Sequence, residues 1–279
     1  MKSLMIQGTS SGAGKTTLVA ALCRIFSDKG YRVAPFKSQN MSNFAYVTPE
    51  FEISRAQAIQ AIGARCNITS DLNPILLKPI GNYNSFVYLN GKCYKKMHAK
   101  DYYEKFVNTQ GIKIASKSLN LLQTNFDLVI LEGAGSPAEI NLQKFDIANM
   151  KIAQKASASV ILISDIDKGG SFASLVGTMA LTEKKYRKFV KGFVFNKFRG
   201  DIDMLKPGFN KLKKLTNIPV LGVIPLMTLN LPEEDSFNAK PQNMVWNKKN
   251  ISKIDNELNR LAETVKSSID IKSIEKMLK

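Results

Sequence analysis

The sequence predicts an α/β fold in which a mostly parallel β-sheet is flanked by helices. Six short runs are apolar along nearly their whole length, which is typical of strands covered on both faces. Helical patterns alternate with these runs, as right-handed crossovers between parallel strands require. The expected strands span residues 4–8, 32–36, 128–132, 159–164, 192–196 and 220–224, and the expected helices span 15–29, 52–66, 100–123, 172–185 and 203–216.

The first strand and the first helix flank a glycine-rich loop. Glycines let backbone N–H groups turn inward around a polyphosphate, and the helix N-terminus adds a partial positive charge. Lys15 can reach the β- and γ-phosphates, and the Thr16 hydroxyl can ligate Mg²⁺. Five residues separate Gly8 from Gly14, one more than in the common phosphate loop. The sequence therefore predicts a P-loop NTPase whose ATP-binding residues include Gly8, Thr9, Ser10, Ser11, Gly12, Ala13, Gly14, Lys15, Thr16 and Thr17.

Polar residues stand at the ends of several later strands. Lys37 follows the second strand, Glu132 ends the third, and Asn196 ends the fifth. Ligands bind at the carboxyl ends of the strands in such folds, so these residues are expected to share one crevice with the loop. Lys37 can neutralise a transferring phosphoryl group, and the Asn196 amide can contact a base.

Two acidic residues are candidate metal ligands. Mg²⁺ beside phosphates usually takes one or two carboxylates and keeps several waters. Glu132 is the better candidate, because it ends an apolar strand that opens on the phosphate crevice. Glu52 stands at the expected start of a helix, where an acid is favourable without any metal. Residue chemistry alone favours that simpler explanation for Glu52.

Two segments depart from the strand-and-helix alternation. Residues 74–92 contain two short strand patterns and are expected to form an inserted hairpin. Beyond residue 235 the chain becomes polar, and apolar residues then recur at three- or four-residue steps, which predicts an amphipathic helix packed on the domain. We therefore expect one domain at 1–240 and a polar linker with a helical tail at 241–279. The apolar positions of the tail are Ile251, Ile254, Leu258, Leu261 and Val265.

Composition narrows the range of partners. The chain has 279 residues, 44% of them hydrophobic, and a formal net charge of +17. Its lysines are scattered rather than gathered into one stripe with aromatic residues, so we expect neither nucleic acid nor a membrane as partner. The three cysteines are widely spaced and the N-terminus lacks a signal-peptide pattern, which favours a cytoplasmic location.

Nine short motifs give this chain a recognisable resemblance. The most specific are Glu132-Gly-Ala-Gly-Ser-Pro-Ala-Glu-Ile-Asn-Leu142 and Asp146-Ile-Ala-Asn-Met150. With them, the chain resembles the synthetase domain of the cobyric acid synthases, glutamine-dependent amidotransferases of cobalamin biosynthesis. The other motifs, in the family's order, lie at residues 7–16, 34–41, 52–57, 73–79, 165–170, 196–201 and 231–236.

The resemblance implies a fold, an activity and roles for residues. It implies a dethiobiotin-synthetase-like P-loop fold, in which the longer phosphate loop is a family trait. The implied activity is ATP-dependent amidation of corrinoid carboxylates, from adenosylcobyrinic acid a,c-diamide to adenosylcobyric acid, through an acyl phosphate. Glu52 would join Thr16 and Glu132 on Mg²⁺, with Lys37 at the phosphoryl group and Asn196 at adenine. The expected substrate-binding residues are Gln39, Asn40, Met41, Ser136, Glu139 and Asn141.

One family feature has no match in these residues. Cobyric acid synthases usually continue into a glutaminase domain with a Cys nucleophile and a His base. The one histidine, His98, lies in a lysine-rich stretch, and none of Cys23, Cys66 and Cys93 follows a strand in a glycine-flanked turn. We expect ammonia to come from a separate class I glutaminase subunit or from solution, and a truncated copy is an alternative.

Other functions remain open at this point. Among enzymes, the alternatives are a cobyrinic acid a,c-diamide synthase and a dethiobiotin synthetase. In a different class, a MinD- or ParA-like ATPase switch would suit the basic charge and the amphipathic tail. Such switches carry a lysine directly after the first loop glycine, where this chain has Thr9. A homodimer is a further possibility that the sequence does not decide.

Overall fold

A six-stranded parallel sheet lies at the centre of the computed structural model, which describes residues 2–232 and 244–278. The strand order is β12-β11-β10-β1-β9-β2, so the phosphate-loop strand β1 lies between β10 and β9. The predicted α/β class and all six predicted strands are confirmed, with bounds that differ by at most two residues. The strands are β1 (Lys2–Gly8), β2 (Val33–Phe36), β9 (Leu128–Glu132), β10 (Ser159–Asp165), β11 (Val190–Phe198) and β12 (Val220–Pro225).

Residues of the sheet alternate between two hydrophobic cores. Met5, Leu131 and Leu162 pack on one face, whereas Leu4, Ile6 and other alternate residues pack on the opposite face. Both faces are therefore covered, as the continuous apolar runs predicted. The helices are α1 (Lys15–Asp28), α2 (Arg55–Ala64), α3 (Ala99–Asp101), α4 (Ile112–Asn125), α5 (Met150–Lys155), α6 (Ser171–Leu181), α7 (Lys184–Arg187), α8 (Lys206–Thr216), α9 (Lys248–Ser268) and α10 (Ile271–Met277).

Four predicted helices differ from the observed ones, and the helix expected at 203–216 begins at Lys206 because Ile202–Leu205 forms a 3₁₀ turn. The helix expected at 52–66 begins at Arg55, because Glu52–Ser54 is a strand (β5) that pairs with Ala45–Val47 (β4). The helix expected at 172–185 is two helices, since Thr182 and Glu183 have extended backbone. Within 100–123, residues Tyr102–Gly111 are wound as a π-helix between α3 and α4.

A second sheet surrounds the segment expected to be a hairpin. Ile75–Gly81 (β6) and Asn84–Leu89 (β7) pair antiparallel, and Lys92–His98 (β8) adds a third strand. On its other side, β6 pairs in parallel with the short strand Gln39–Met41 (β3). This four-stranded sheet therefore joins the inserted segment to the chain that follows Lys37.

The C-terminal helix α9 packs against α1 and β12. Its residues Ile254, Leu258, Leu261 and Val265 are buried in one core with α1, whereas Ile251, the first apolar position predicted for this helix, is 36% exposed. The chain after α9 stays on the domain, where the Asp270 N–H donates to the Leu221 carbonyl. The expected boundary at residue 240 lies outside the described residues.

None of the helices in the described ranges is long and apolar enough to cross a membrane.

A buried arginine links α9 to the phosphate-loop helix. The fully buried side chain of Arg24 forms an ion pair with Asp255 and donates to the Ile62 carbonyl at 3.1 Å. Removing the partner of a buried charge is costly, since the remaining charge loses its compensation. This pair therefore fixes α9 on the domain more firmly than a surface pair would.

We predict that Asp255→Asn lowers the free energy of unfolding by about 1–3 kcal/mol, because the Arg24 charge then has only neutral partners. Glu263→Gln in the same helix is the matched control: its ion pair with Lys266 is exposed, so the loss should stay below about 1 kcal/mol. Urea denaturation measures both. Equal losses in the two variants would contradict the prediction.

Candidate active site

The phosphate loop begins where β1 ends at Gly8 and closes where α1 begins at Lys15. Gly14 has φ of +101°, and a Cβ at this position would lie 2.0 Å from Asn196 Nδ2. Glycine is therefore required at position 14 by both conformation and space. Of the predicted residues of the ATP-binding loop, Ser11, Gly12, Gly14, Lys15, Thr16 and Thr17 line a cavity, whereas Gly8, Thr9, Ser10 and Ala13 are not among its described lining residues.

Lys15 connects the phosphate loop to a neighbouring turn. Its Nζ donates to the Ser10 carbonyl at 2.9 Å and to the Gly135 carbonyl at 3.0 Å. Burial lowers the pKa of the Lys15 amino group to about 8, and the nearby Lys37 charge also lowers it, while Glu132 and Glu139 oppose the shift. An arriving phosphate would supply the negative charge that this amino group lacks.

Glu132 is the centre of a buried polar cluster. Its side chain is 1% exposed, and its Oε1 accepts from Lys37 Nζ at 2.7 Å and from Thr16 Oγ1 at 2.8 Å. Its Oε2 accepts from Gln60 Nε2 at 2.6 Å. Burial acts to raise the pKa of the Glu132 carboxyl, but the Lys37 charge and the three hydrogen bonds together lower it below its ordinary value. The carboxylate is thus held ionised beside the loop.

Thr16, Glu132 and Lys37 thus come together as predicted from their positions in the sequence, but Glu52 lies elsewhere. Glu52 forms an ion pair with Lys78 on β6 and is not among the described residues that line the cavity. The expectation that it sits beside Thr16 and Glu132 is not met, because β5 directs it toward the second sheet. Its place in a helix N-terminus is equally wrong, since α2 begins at Arg55.

The described residues hold no cluster of three or more His, Cys, Asp or Glu side chains suited to a metal. Thr16 and Glu132 are two hard-oxygen donors in hydrogen-bond contact at the phosphate loop. This sparse set fits Mg²⁺, which usually takes one or two carboxylates and fills its other positions with phosphate and water.

Asn196, at the C-terminal end of β11, contacts the phosphate loop and also lines the cavity. Its Nδ2 donates to the Ala13 carbonyl at 3.0 Å, so its Oδ1 remains as the acceptor for a ligand. Apolar residues follow in the same lining, from the segment after β12 and from α9. They are Pro225, Leu226, Met227, Leu229, Leu231, Leu261 and Val265.

The first group of residues expected to bind substrate forms strand β3 and supplies residues to the cavity, but two of its polar side chains are bonded within the protein. Gln39 Oε1 accepts from the Tyr102 hydroxyl at 2.8 Å, and Asn40 Nδ2 donates to Ser54 Oγ at 2.6 Å. Asn40, Gln39 and Met41 all line the cavity. Hydrogen bonds of this kind fix the backbone of this strand, so its shape is set before a ligand arrives.

Only part of the second segment expected to bind substrate, residues 136–141, lines the cavity. Ser136 and Glu139 line it, and Glu139 Oε1 accepts from the Ser136 N–H at 2.9 Å. Asn141 is exposed and is not among the described lining residues, so the structure does not bring it to the site. Asn141 lies in the next turn, in which the Leu142 N–H donates to the Glu139 carbonyl at 2.9 Å, and its side chain is on the outer surface.

Sequence reasoning did not assign roles to several residues that the structure places in or beside the site. Gln57 and Gln60 stand three positions apart on α2, a spacing that puts both on one face, and both donate to Glu132. Asn149 Nδ2 donates to the Ala134 carbonyl at 2.7 Å and so holds the turn after Glu132. Gln57 and Asn149 lie in the sequence motifs at 52–57 and 146–150, and their place in these motifs was the only sign in the sequence that they belong to the site.

The whole cavity has a volume of about 890 Å³. That volume lies at the upper end of the range for small-molecule sites, which leaves room for more than one ligand. Beyond the phosphate loop and the apolar group, its lining includes Tyr103, Phe145, Asn149, Thr182 and Tyr186.

We predict that pyrophosphate binding weakens as the pH rises above about 8. The free protein then carries neutral Lys15, so binding an anion requires proton uptake, and affinity should fall by up to about ten-fold per pH unit. Lys15→Arg keeps its charge throughout this range and should bind with little pH dependence. Isothermal titration calorimetry between about pH 7 and pH 10 measures both. Identical pH profiles would exclude Lys15 as the titrating group.

Comparison with known proteins places this geometry in a family. The chain is 53% identical over 242 residues to a probable cobyric acid synthase of Thermococcus onnurineus, covering 86% of this chain and 50% of that protein. It is 51% identical over 251 residues to a probable cobyric acid synthase of Methanosphaera stadtmanae, covering 89% of this chain and 50% of that protein. The predicted resemblance is confirmed, and the chain spans about half the length of the curated relatives it matches.

Solved structures with similar folds are more distant. The signal recognition particle 54 kDa protein of Aeropyrum pernix is 14% identical with a TM-score of 0.47, over 99% of this chain and 49% of that chain. The cell division protein MinD of Aquifex aeolicus is 15% identical with a TM-score of 0.45, over 81% of this chain and 83% of that one. A family model for nucleotide binding domains matches residues 4–238. The chain belongs to the CbiA family, the CobQ/CobB/MinD/ParA nucleotide binding domains.

Proposed function

We propose that this chain is an ATP-dependent carboxylate–amine ligase that amidates side-chain carboxylates of a corrinoid. The proposed conversion leads from adenosylcobyrinic acid a,c-diamide to adenosylcobyric acid. One observation carries the proposal: Thr16 and Lys37 are hydrogen-bonded to the buried Glu132 at the phosphate loop, and all three line a large cavity together with Lys15. The relatives named probable cobyric acid synthases support the choice of substrate.

The proposed reaction has two steps. A substrate carboxylate oxygen attacks the γ-phosphorus of ATP, the bond to the bridging oxygen breaks, and ADP leaves. Ammonia then attacks the carbonyl carbon of the acyl phosphate, loses a proton, and expels inorganic phosphate as the amide forms. The first step is needed because a carboxylate would otherwise have to lose oxide, whereas phosphate is a far better leaving group.

The main requirement of the first step is that positive groups offset the negative charge on the transferring phosphoryl group. In the proposal, Lys15 turns from the Ser10 and Gly135 carbonyls to the phosphates. Lys37 is paired with Glu132 Oε1, the oxygen that also accepts from Thr16, and offsets negative charge on the phosphoryl group. Thr16 and Glu132 would hold Mg²⁺, which would supply further positive charge to offset that of the phosphates. Glu52 is left out of this set because it is paired with Lys78.

In this proposal, the corrinoid carboxylate and the adenine base of ATP contact different parts of the cavity wall. Asn196 and the apolar residues after β12 contact adenine. The backbone at Gln39, Asn40 and Met41, together with Ser136 and Glu139, holds the reacting carboxylate. A corrinoid is much larger than the remaining space, so only the side chain that reacts enters the cavity and the macrocycle stays outside.

Ammonia is proposed to come from a separate glutaminase subunit or from solution. Burial raises the pKa of the Cys66 thiol to about 12 and raises the pKa of the Cys23 thiol well above its ordinary value. Both are therefore thiols at neutral pH, and a thiol is a poor nucleophile compared with a thiolate. Neither suits the role of a glutaminase nucleophile.

We predict that Glu132→Gln raises the Mg²⁺ concentration needed for half-maximal ADP release by about 10–100-fold. The change keeps the shape of the side chain but removes the charge that would bind the metal. Glu52→Gln is the matched control and should leave the Mg²⁺ requirement unchanged. A thermal melt of each variant separates loss of fold from loss of metal binding. If both variants show the parent's Mg²⁺ dependence, Glu132 is not a ligand.

We predict that the pure chain forms corrinoid amides from ATP and ammonium chloride, with higher rates at higher pH because more NH₃ is present. Mass spectrometry follows the product, since each amide lowers the corrinoid mass by about one unit for each ATP used. Replacing Cys23, Cys66 and Cys93 together by Ser should leave this activity largely intact in a folded variant. Amidation driven by glutamine alone, with ammonia excluded, would show that the nitrogen source is misassigned.

A further inference from the structure

Lys197 has an unusual backbone for a residue inside a strand. It lies in β11 with φ of +62°, in the left-handed region that residues with a Cβ seldom adopt. The pairing of β11 with β12 shifts register at this point, between Phe195 and Phe198. Such an irregularity persists only where the surrounding structure holds it in place, and it is frequently found at functional sites.

The left-handed turn changes where two neighbouring side chains point. Successive side chains of a regular strand point to opposite faces. At this bulge, Asn196 and Lys197 both reach the phosphate loop instead. Asn196 Nδ2 donates to the Ala13 carbonyl at 3.0 Å, and Lys197 Nζ donates to the Gly12 carbonyl at 2.8 Å. The irregular backbone thus brings two consecutive side chains to two consecutive carbonyls.

A carboxylate fixes the direction of the lysine. Lys197 Nζ also lies 2.8 Å from Asp165 Oδ2, whose side chain is 5% exposed at the end of β10. The other oxygen of Asp165 accepts from the Asp167 N–H at 3.0 Å, so the carboxylate is itself held by its own turn. Charge-assisted bonds of this kind are stronger than neutral ones. Lys197 is therefore a rigid link between the sheet edge and the loop.

The hydrogen bonds from Asn196 and Lys197 also fix the direction of the N–H groups in the phosphate loop. In a trans peptide, the C=O of one residue points opposite to the N–H of the next. Holding the Gly12 carbonyl on Lys197 and the Ala13 carbonyl on Asn196 therefore turns the N–H groups of Ala13 and Gly14 to the other side. Within the described residues, no hydrogen bond from either N–H is present, so neither donor is used inside the chain, and successive N–H groups of this kind can bind an anion.

We infer that Lys197 is a positioning residue that presets the phosphate loop for nucleotide. It holds the Gly12 peptide so that the following N–H groups already face the phosphates before ATP arrives. Presetting removes an ordering cost from binding and so increases affinity. The inference rests on the proposed use of ATP by this loop, and it gives a physical reason for the left-handed backbone at Lys197.

Lys197→Gly is the informative variant, because glycine adopts a positive φ without strain but has no amino group. We expect the Kd for ATP with Mg²⁺ to rise about ten-fold, as for loss of a charged hydrogen bond. The melting temperature should change little, because relief of the left-handed strain offsets the loss of the ion pair with Asp165. Lys197→Arg keeps charge and donors and should stay within about three-fold of the parent.

Asn217→Gly is the matched control. Asn217 has φ of +58° at the end of α8, so glycine relieves the same kind of strain without touching the loop. Its melting temperature should not fall, and its Kd for ATP should equal that of the parent. NMR order parameters of the backbone at residues 12–14 should be lower in Lys197→Gly than in Asn217→Gly, because only the first variant releases the Gly12 carbonyl.

Calorimetric titration with ATP separates the possible results. Parent-like affinity in Lys197→Gly would overturn the inference. A loss of affinity that Lys197→Arg does not restore, together with a lower melting temperature in both variants, would also overturn it, since the lysine would then serve general stability. Failure of the parent chain itself to bind ATP would instead reject the proposed function.

Discussion

The buried carboxylate of Glu132 constrains much of the molecule around it. A charge that is 1% exposed is stable only if hydrogen bonds and an opposite charge replace the water it has lost. Those replacements come from separate parts of the chain: Lys37 after β2, Thr16 in the first turn of α1, and Gln60 on α2. Satisfying one carboxylate therefore fixes the strand ends, the phosphate-loop helix and α2 relative to one another. The same contacts keep Glu132 ionised, since they lower the pKa of its carboxyl against the effect of burial.

This constraint also explains how the site can be ordered before any ligand binds. Lys15 Nζ donates to the Ser10 and Gly135 carbonyls, and burial together with the Lys37 charge lowers the pKa of its amino group. A polyphosphate would provide negative charge and would draw Lys15 away from Gly135. The turn that carries Ser136 and Glu139 then loses one of its attachments when nucleotide binds. In the proposed reaction, ATP binding would thereby loosen the turn that holds the substrate carboxylate.

Much of the fold could be predicted from local sequence, whereas the details of the site depended on distant contacts. Continuous apolar runs predicted all six strands of the main sheet, and strand ends predicted that Lys37, Glu132 and Asn196 would meet the phosphate loop. Glu52 was misplaced because its partner, Lys78, belongs to the inserted sheet, and no local pattern reveals such a pairing. The third strand of that sheet, Lys92–His98, was missed since most of its residues are exposed and lysine-rich. The left-handed backbone at Lys197 has no signature in the residue type, because lysine rarely adopts it.

Phosphoryl transfer to the substrate carboxylate is the central claim, and oxygen labelling tests it most directly. The corrinoid would be prepared with its carboxylates labelled by ¹⁸O and incubated with ATP, Mg²⁺ and ammonium chloride. Attack of the carboxylate on the γ-phosphate moves one carboxylate oxygen into the inorganic phosphate that ammonia later expels. Mass spectrometry should therefore find one ¹⁸O atom in phosphate for each amide formed, with ADP unlabelled. Unlabelled phosphate accompanying amide formation, or label in AMP, would contradict the acyl phosphate and the roles assigned to Lys15, Lys37 and Glu132.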